Sequence, residues 1–316
     1  MPEDVVKWFQ ANLQYNVPGG KLNRGLSVVD TVEIILRRPL EEEEYKRAAI
    51  LGWCVEMMQG LFLVADDMMD HSLTRRGQPC WYQVVGMVAV NDTGCIEAAI
   101  YFLLRKYFRS EPWYIDVVEH FLETTFKTCM GQMVDLMTAP EDRLDISQFS
   151  LERHRITVIY KTSWYSFYLP VACAARFCGI VDPSTYSLAQ SILLPLGEYF
   201  QVQDDFLDAY AHPDVLGKIG TDIRDNKNTW LINKALEICS PDQRALLEAN
   251  YGRKDPEAEA RVKAVYDSLD LPERYREYER RAHAHIVGLV NGIPNTGELR
   301  PEVFMAFLRK IFGRTM

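Results

Sequence analysis

Two short acidic runs carry the sharpest chemical signal in the chain: Asp66-Asp67-Met68-Met69-Asp70 and Asp204-Asp205-Phe206-Leu207-Asp208. In each, the first and last aspartates are four apart, so on a helix they share one face. Like charges at that spacing repel and weaken a helix unless something neutralises them. A solvated acidic face would account for one such run, but the residues upstream argue otherwise. Leu63, Phe62 and Gln59 lie on the face of Asp66, and Gln201 and Phe200 on that of Asp204. Both carboxylate pairs continue a largely apolar stripe, as if each helix ended an apolar channel with a ring of acids. Clustered carboxylates at a cavity mouth suit a hard divalent cation, and Mg²⁺ takes few protein oxygens, keeping waters and substrate phosphates. Two such sets facing each other would hold several Mg²⁺ ions with a diphosphate bridging them. A calcium loop of the D-x-[DN]-x-[DN]-G kind is absent.

Basic residues accompany the acids. Arg75 and Arg76 follow the first run; Lys218 and Lys227 follow the second, with Gly217 and Gly220 allowing close backbone approach. Lys161 interrupts the apolar tract 156–171, and Lys21 and Arg24 follow the Gly19-Gly20 turn. Beside carboxylates, these cations read as diphosphate clamps. Other chemistries find no support: GxxxxGK[ST], HExxH and GxSxG are all missing. His283 and His285 are two apart, so they do not share a helical face.

The elements that must position these residues read as helices. Apolar residues recur at helical spacing over 40–69, where the acids Glu41 to Glu44 suit a first turn, and over 93–109, 112–137, 184–210, 256–269 and 272–290. The tract 156–171 is rich in Tyr, Thr and Val, but its alternation is weak and no second strand exists to pair with it, so it reads as a buried helix. The expected architecture is all-α, a single large helical bundle around a central cavity, formed by one domain over residues 1–316.

Composition narrows the partners. The 316 residues hold 35 basic and 44 acidic side chains, a net charge of −9, which disfavours broad nucleic-acid binding. The acids Glu3 and Asp4 are unlike a targeting segment, and no charge-free run reaches the roughly 18 apolar residues of a membrane span. Seven scattered cysteines without a CxxC pair read as free thiols of a reducing, cytoplasmic compartment.

At this point the chain resembles the trans-isoprenyl diphosphate synthases, most closely the eukaryotic members that form farnesyl diphosphate. The matching segments are GGKLNRGLSVVDT from Gly19, FLVADDMMDHSLTRRGQPCWY from Phe62, GQMVDL from Gly131, YKTSWYSFYLP from Tyr160, GEYFQVQDDFLD from Gly197 and GKIGTDIRDNK from Gly217. The resemblance implies a homodimer that condenses isopentenyl diphosphate head-to-tail with dimethylallyl or geranyl diphosphate, using Mg²⁺. It implies that Asp66, Asp70, Asp204 and Asp208 organise the metal ions. Arg75, Lys161, Lys218 and Lys227 would grip the allylic diphosphate, and Lys21, Arg24, Gln59 and Arg76 would hold isopentenyl diphosphate. Lys161, Thr162 and Gln201 would face the cationic centre, and Leu61 and Phe62 would bound the growing chain.

Three departures from that family bear on function. Leu61 stands where farnesyl-forming members usually have a second aromatic, and Met57 and Gly60 also differ, so a shaved floor would admit a longer, geranylgeranyl product. The tail Gly313-Arg314-Thr315-Met316 lacks the family's terminal Lys, and the helix before Gly19 is expected to be incomplete. Class I terpene cyclase chemistry and a catalytically silent helical partner are the rival readings.

Overall fold

The computed structural model describes residues 1–140, 144–211, 220–294 and 297–312, and its regular structure is almost wholly helical. Lys218 and the C-terminal Arg314 lie outside the described residues. The chain forms two compact units, one from residues 1–126, 164–193 and 293–307, the other from 127–163, 194–292 and 308–316.

In the first unit, α1 (Glu3–Asn16), α2 (Asn23–Leu36), α4 (Trp81–Val85), α5 (Ala89–Phe108) and α8 (Leu169–Phe177) pack around α3 (Glu42–Met69). The acids at the start of α3 act as predicted. Glu41 and Glu44 form a capping box, and Arg38 makes two 2.7 Å bonds to the Glu44 carboxylate. Further along, Leu51, Cys54, Val55 and Met58 are buried against Val28, Val32, Ile96, Ile100 and Cys173. Helices α2 and α3 meet backbone to backbone: a Cβ on Gly52 would stand 2.5 Å from the Gly25 carbonyl oxygen. After α3, β1 (Thr74–Arg75) and β2 (Gln78–Pro79) form a tiny antiparallel hairpin, with Arg75 paired to Gln78. Its two-residue turn, Arg76-Gly77, has φ of 54° and 76°, the left-handed conformation of a type I′ turn. Sequence patterning reads only a turn here, because a two-residue strand leaves no periodicity to detect.

Helix α6 (Tyr114–Thr138) is followed by α7 (Leu151–Val158), and Ile159–Tyr168 then winds as a π-helix into α8. The tract 156–171 is therefore helical, as expected, but its middle follows i→i+5 bonding, which blurs both a 3.6-residue and a two-residue pattern. Helix α9 (Pro183–Tyr210) carries the second acidic run. In the second unit, Val202 and Phe206 of α9 join the core of α10 (Trp230–Ile238), α11 (Pro241–Asn250), α12 (Pro256–Ser268) and α13 (Leu271–Asn291). There Phe206 stacks on Tyr275, ring centroids 3.9 Å apart and nearly parallel. The last helix is α14 (Pro301–Ile311).

Two stretches, Glu42–Met69 and Trp81–Phe108, have the length and apolar content of a membrane-crossing helix, although each carries charged residues. The first is the core helix of its unit, with 61% of its most apolar window buried in the protein; for the second the share is 28%. All seven cysteines are free thiols. Burial pushes Cys54 up to about 12 and Cys173 higher still, which leaves both inert.

Candidate functional site

The first acidic run ends α3, and its three aspartates have different surroundings. Asp67 is buried, whereas Asp66 and Asp70 are half-buried and one turn apart, with the Asp70 N–H donating to the Asp66 carbonyl. Arg75 Nε and Nη2 lie 3.0 and 2.5 Å from Asp67 Oδ1, and Nη2 is 3.8 Å from Asp66. Burial raises the Asp67 carboxyl above its ordinary value even against the pull of Arg75. The middle acid thus ties the hairpin to the helix and leaves the outer pair as a two-carboxylate oxygen donor set.

The residues expected to hold isopentenyl diphosphate gather at the turn between α1 and α2, except that Lys21 is simply exposed there. Arg76 Nη1 donates to the carbonyls of Asn16, Val17 and Pro18, at 3.2, 3.3 and 2.6 Å. Its guanidinium passes beneath Gly20, where a Cβ would come within 3.1 Å of Nη2. Burial lowers the Arg76 pKa, while the neighbouring Glu56 charge opposes that shift. Arg24 Nε donates to Ser166 Oγ at 2.8 Å, and the guanidinium lies 5.0 Å from the Tyr165 ring centroid. The Gln59 side-chain amide lies 2.7 Å from Arg24 Nη1, and the orientation that satisfies its neighbours turns its carbonyl oxygen to that donor.

In the second unit the middle acid is again tied into the fold, and here the last acid is too. Asp205, the middle acid, is buried; its Oδ2 lies 2.8 Å from His154 Nε2 and accepts from the Trp230 N–H at 2.8 Å, and its Oδ1 accepts from Gln201 at 3.1 Å. Asp204 is half-buried; Asp208 is buried and accepts from the Asp222 N–H at 3.0 Å. Thr162 Oγ1 donates to Gln201 Oε1 at 3.5 Å, which joins two of the three residues expected at the cationic centre. Lys161 Nζ donates to Asp135 at 2.7 Å. Lys227 is half-buried, and its carbonyl accepts from the Tyr251 hydroxyl.

Two glycines let these groups approach. A Cβ on Gly131 would fall 2.1 Å from the Lys161 nitrogen, and one on Gly197 would fall 2.2 Å from Ser163 Oγ. Both therefore clamp the π-helical segment that carries Lys161 and Thr162. Among the described residues, no group of three or more His, Cys, Asp or Glu side chains is assembled as a metal cage. The outer aspartates instead offer hard oxygens in pairs, the donor set that Mg²⁺ completes with phosphate oxygens and water.

At Gly60 a Cβ would meet the Asn16 carbonyl oxygen at 3.2 Å and Val17 at 3.5 Å. Its small size lets α3 accept the end of α1. Leu61 and Met57 are buried in the core of the first unit, and Phe62 packs against Tyr165 with ring centroids 5.8 Å apart. Glu56, Asp135, His154 and Ser166 carry no role in the sequence reading; Asp135 and Ser166 lie within the segments GQMVDL and YKTSWYSFYLP, whereas no local signal marks Glu56 or His154.

The sequence model of the polyprenyl synthetase family matches residues 6–269. Farnesyl pyrophosphate synthase of Ganoderma lucidum is 59% identical, over 99% of this chain and 91% of the relative. The enzymes of that name from Schizosaccharomyces pombe and Saccharomyces cerevisiae are 52% and 51% identical, over 99% and 100% of this chain and 91% of each relative. A solved structure of T. brucei farnesyl diphosphate synthase complexed with a bisphosphonate superposes with a TM-score of 0.92 at 29% identity, over 99% of this chain and 92% of that one.

Proposed function

The chain belongs to the polyprenyl synthetase family, and on that premise we propose that it is a farnesyl diphosphate synthase, a prenyltransferase that joins isopentenyl diphosphate head-to-tail to dimethylallyl and then geranyl diphosphate. The observation that carries this reading is an acidic run, recurring on two helices, whose outer aspartates stand one turn apart on the same face. The middle aspartate is consumed by structure, on Arg75 in one case and on His154 and Trp230 in the other. The outer aspartates Asp66, Asp70, Asp204 and Asp208 are the residues that hold Mg²⁺. Bound there, the metal supplies Lewis-acid assistance to departure of the diphosphate.

The side chains divide the rest of the work. Arg75, Lys161, Lys218 and Lys227 neutralise the allylic diphosphate as it leaves. Lys21, Arg24, Gln59 and Arg76 hold isopentenyl diphosphate so that its double bond can attack. Thr162 and Gln201 present oxygens to the developing cation, and apolar walls that include Leu61 and Phe62 exclude water that would quench it. No side-chain base is needed, since the released diphosphate takes the proton. The whole chain serves as one catalytic domain, cytoplasmic and without a membrane span.

The active form is a homodimer. Phe102 of α5 and Phe126 of α6 are 64% and 67% exposed, with Val90, Ile115 and Leu122 also exposed. On α6, Ile115, Leu122 and Phe126 are spaced to share one side, an apolar strip of the kind a second copy covers.

Incubation with isopentenyl and dimethylallyl diphosphates and Mg²⁺ should give a C15 diphosphate by mass spectrometry. No elongation by folded protein overturns the proposal. A C20 product would move the assignment to a geranylgeranyl diphosphate synthase, and hydrocarbons released from farnesyl diphosphate alone would indicate a cyclase.

A further inference from the structure

Glu56 is a buried carboxylate one turn before Gln59 on α3, in the core of the first unit. Its Oε1 accepts from the Gly25 N–H at 2.7 Å, which uses one of the donors left open in the first turn of α2. Only glycine fits at position 25, where a Cβ would stand 2.9 Å from Glu56 Cγ. Its second oxygen, Oε2, lies 3.0 Å from the Gln59 side-chain amide, and the one amide orientation that satisfies both neighbours puts the NH₂ on Oε2 and the carbonyl oxygen on Arg24 Nη1. Arg24 is then held from three sides: Gln59 on Nη1, Ser166 on Nε and the Tyr165 ring.

An amide can present its oxygen or its nitrogen to a neighbour, and a guanidinium offers only donors. Gln59 helps Arg24 in one of its two orientations and opposes it in the other. A carboxylate accepts only, so Glu56 forces the helpful one. We propose that Glu56 is a positioning residue for isopentenyl diphosphate: by fixing the Gln59 amide, it sets the Arg24 guanidinium where the diphosphate is bound. This rests on the function proposed above and adds a residue that touches no substrate. A glutamine at 56 would hydrogen-bond Gly25 equally well, but its amide NH₂ would face the Gln59 amide and favour the reversed orientation. An aspartate keeps the charge and is one methylene too short to reach both partners.

Steady-state kinetics with isopentenyl and geranyl diphosphates varied separately, on the full chain with Mg²⁺, test the proposal. Glu56→Gln and Glu56→Asp should each raise KM for isopentenyl diphosphate about tenfold, the loss expected for one hydrogen bond to a charged group. KM for geranyl diphosphate should stay within about twofold of the unsubstituted protein, and the melting temperature should show a folded chain. An unchanged KM for isopentenyl diphosphate in either folded variant overturns the proposal, and so does an equal rise in both KM values, which would mark a general structural role. If neither variant folds, Glu56 serves only the α2–α3 junction and the proposal falls. Failure of the unsubstituted protein to elongate would instead overturn the proposed function.

Discussion

Asp66 and Asp67 are neighbours in the chain, yet replacing each should leave a different signature. Asp66→Asn removes an outer oxygen donor, so kcat should fall about a hundredfold or more with little change in melting temperature. Asp67→Asn breaks the pair with Arg75, a partly exposed partner, and should cost about 2 kcal/mol, read as a lower melting temperature. The pH response separates them further. Burial raises the folded-state Asp67 carboxyl above 3.8, its ordinary value, despite Arg75. The folded state therefore favours the protonated form, and stability from this group falls as pH rises from 3.8 through the higher folded value. Asp67→Asn should flatten that slope in a melting-temperature series. Gly60→Ala gives a third residue-scale outcome. Its methyl would press on Asn16 and Val17, so it should lower stability and leave the C15 product unchanged, checked by mass spectrometry.

At the scale of elements, the π-helical segment sets where Lys161 and Thr162 stand, and Gly131 and Gly197 set where the segment lies. Gly131→Ala should force α6 and this segment apart, destabilising by about 1–3 kcal/mol and lowering kcat, because the added carbon would overlap the Lys161 backbone. Thermal melts and turnover on one preparation check both. The start of α3 responds to acid. Hydrogen bonds from Arg38 and from the Glu41 backbone hold Glu44 at about 2, below its ordinary 4.5. Its contribution to stability is thus complete above pH 4.5 and is lost as pH falls toward 2. Glu44→Gln should lower the melting temperature at neutral pH, and the difference from the unsubstituted chain should shrink across that window. Long helices such as α3 and α9 were legible in the sequence because their apolar spacing repeats over seven turns or more. The hairpin was not legible, since it exists to seat Arg75 and Arg76 and has two residues per strand.

For the molecule as a whole, the proposed homodimer predicts a solution mass twice the 36.5 kDa of the chain, measured by light scattering. Phe126→Asp, which places a charge on the exposed apolar strip of α6, should shift that mass toward a single chain. Activity should vanish on chelation of Mg²⁺ and return when it is restored, because diphosphate departure lacks its Lewis acid without the metal. The net charge of −9 is no obstacle to anionic substrates in the proposed mechanism: Mg²⁺ held there would reverse the local sign at aspartate sets that account for part of the acid excess.

What the sequence determined by itself is the chemistry. Residue type and spacing within one helix turn already place Asp66 with Asp70 and Asp204 with Asp208 on shared faces, since helical geometry converts four residues into one turn. The all-α class was legible for the same reason. Tertiary structure alone decided which acid of each run is spent on the fold. The partners of Asp67 and Asp205 include Arg75, His154 and Trp230, at separations in the chain that no local pattern reports. It also decided the meaning of Gly60, Gly131 and Gly197, because a glycine's purpose is the backbone or side chain lying where its side chain would be. And it brought Glu56 to Gly25 and to the Gln59 amide, contacts on which its proposed positioning role rests.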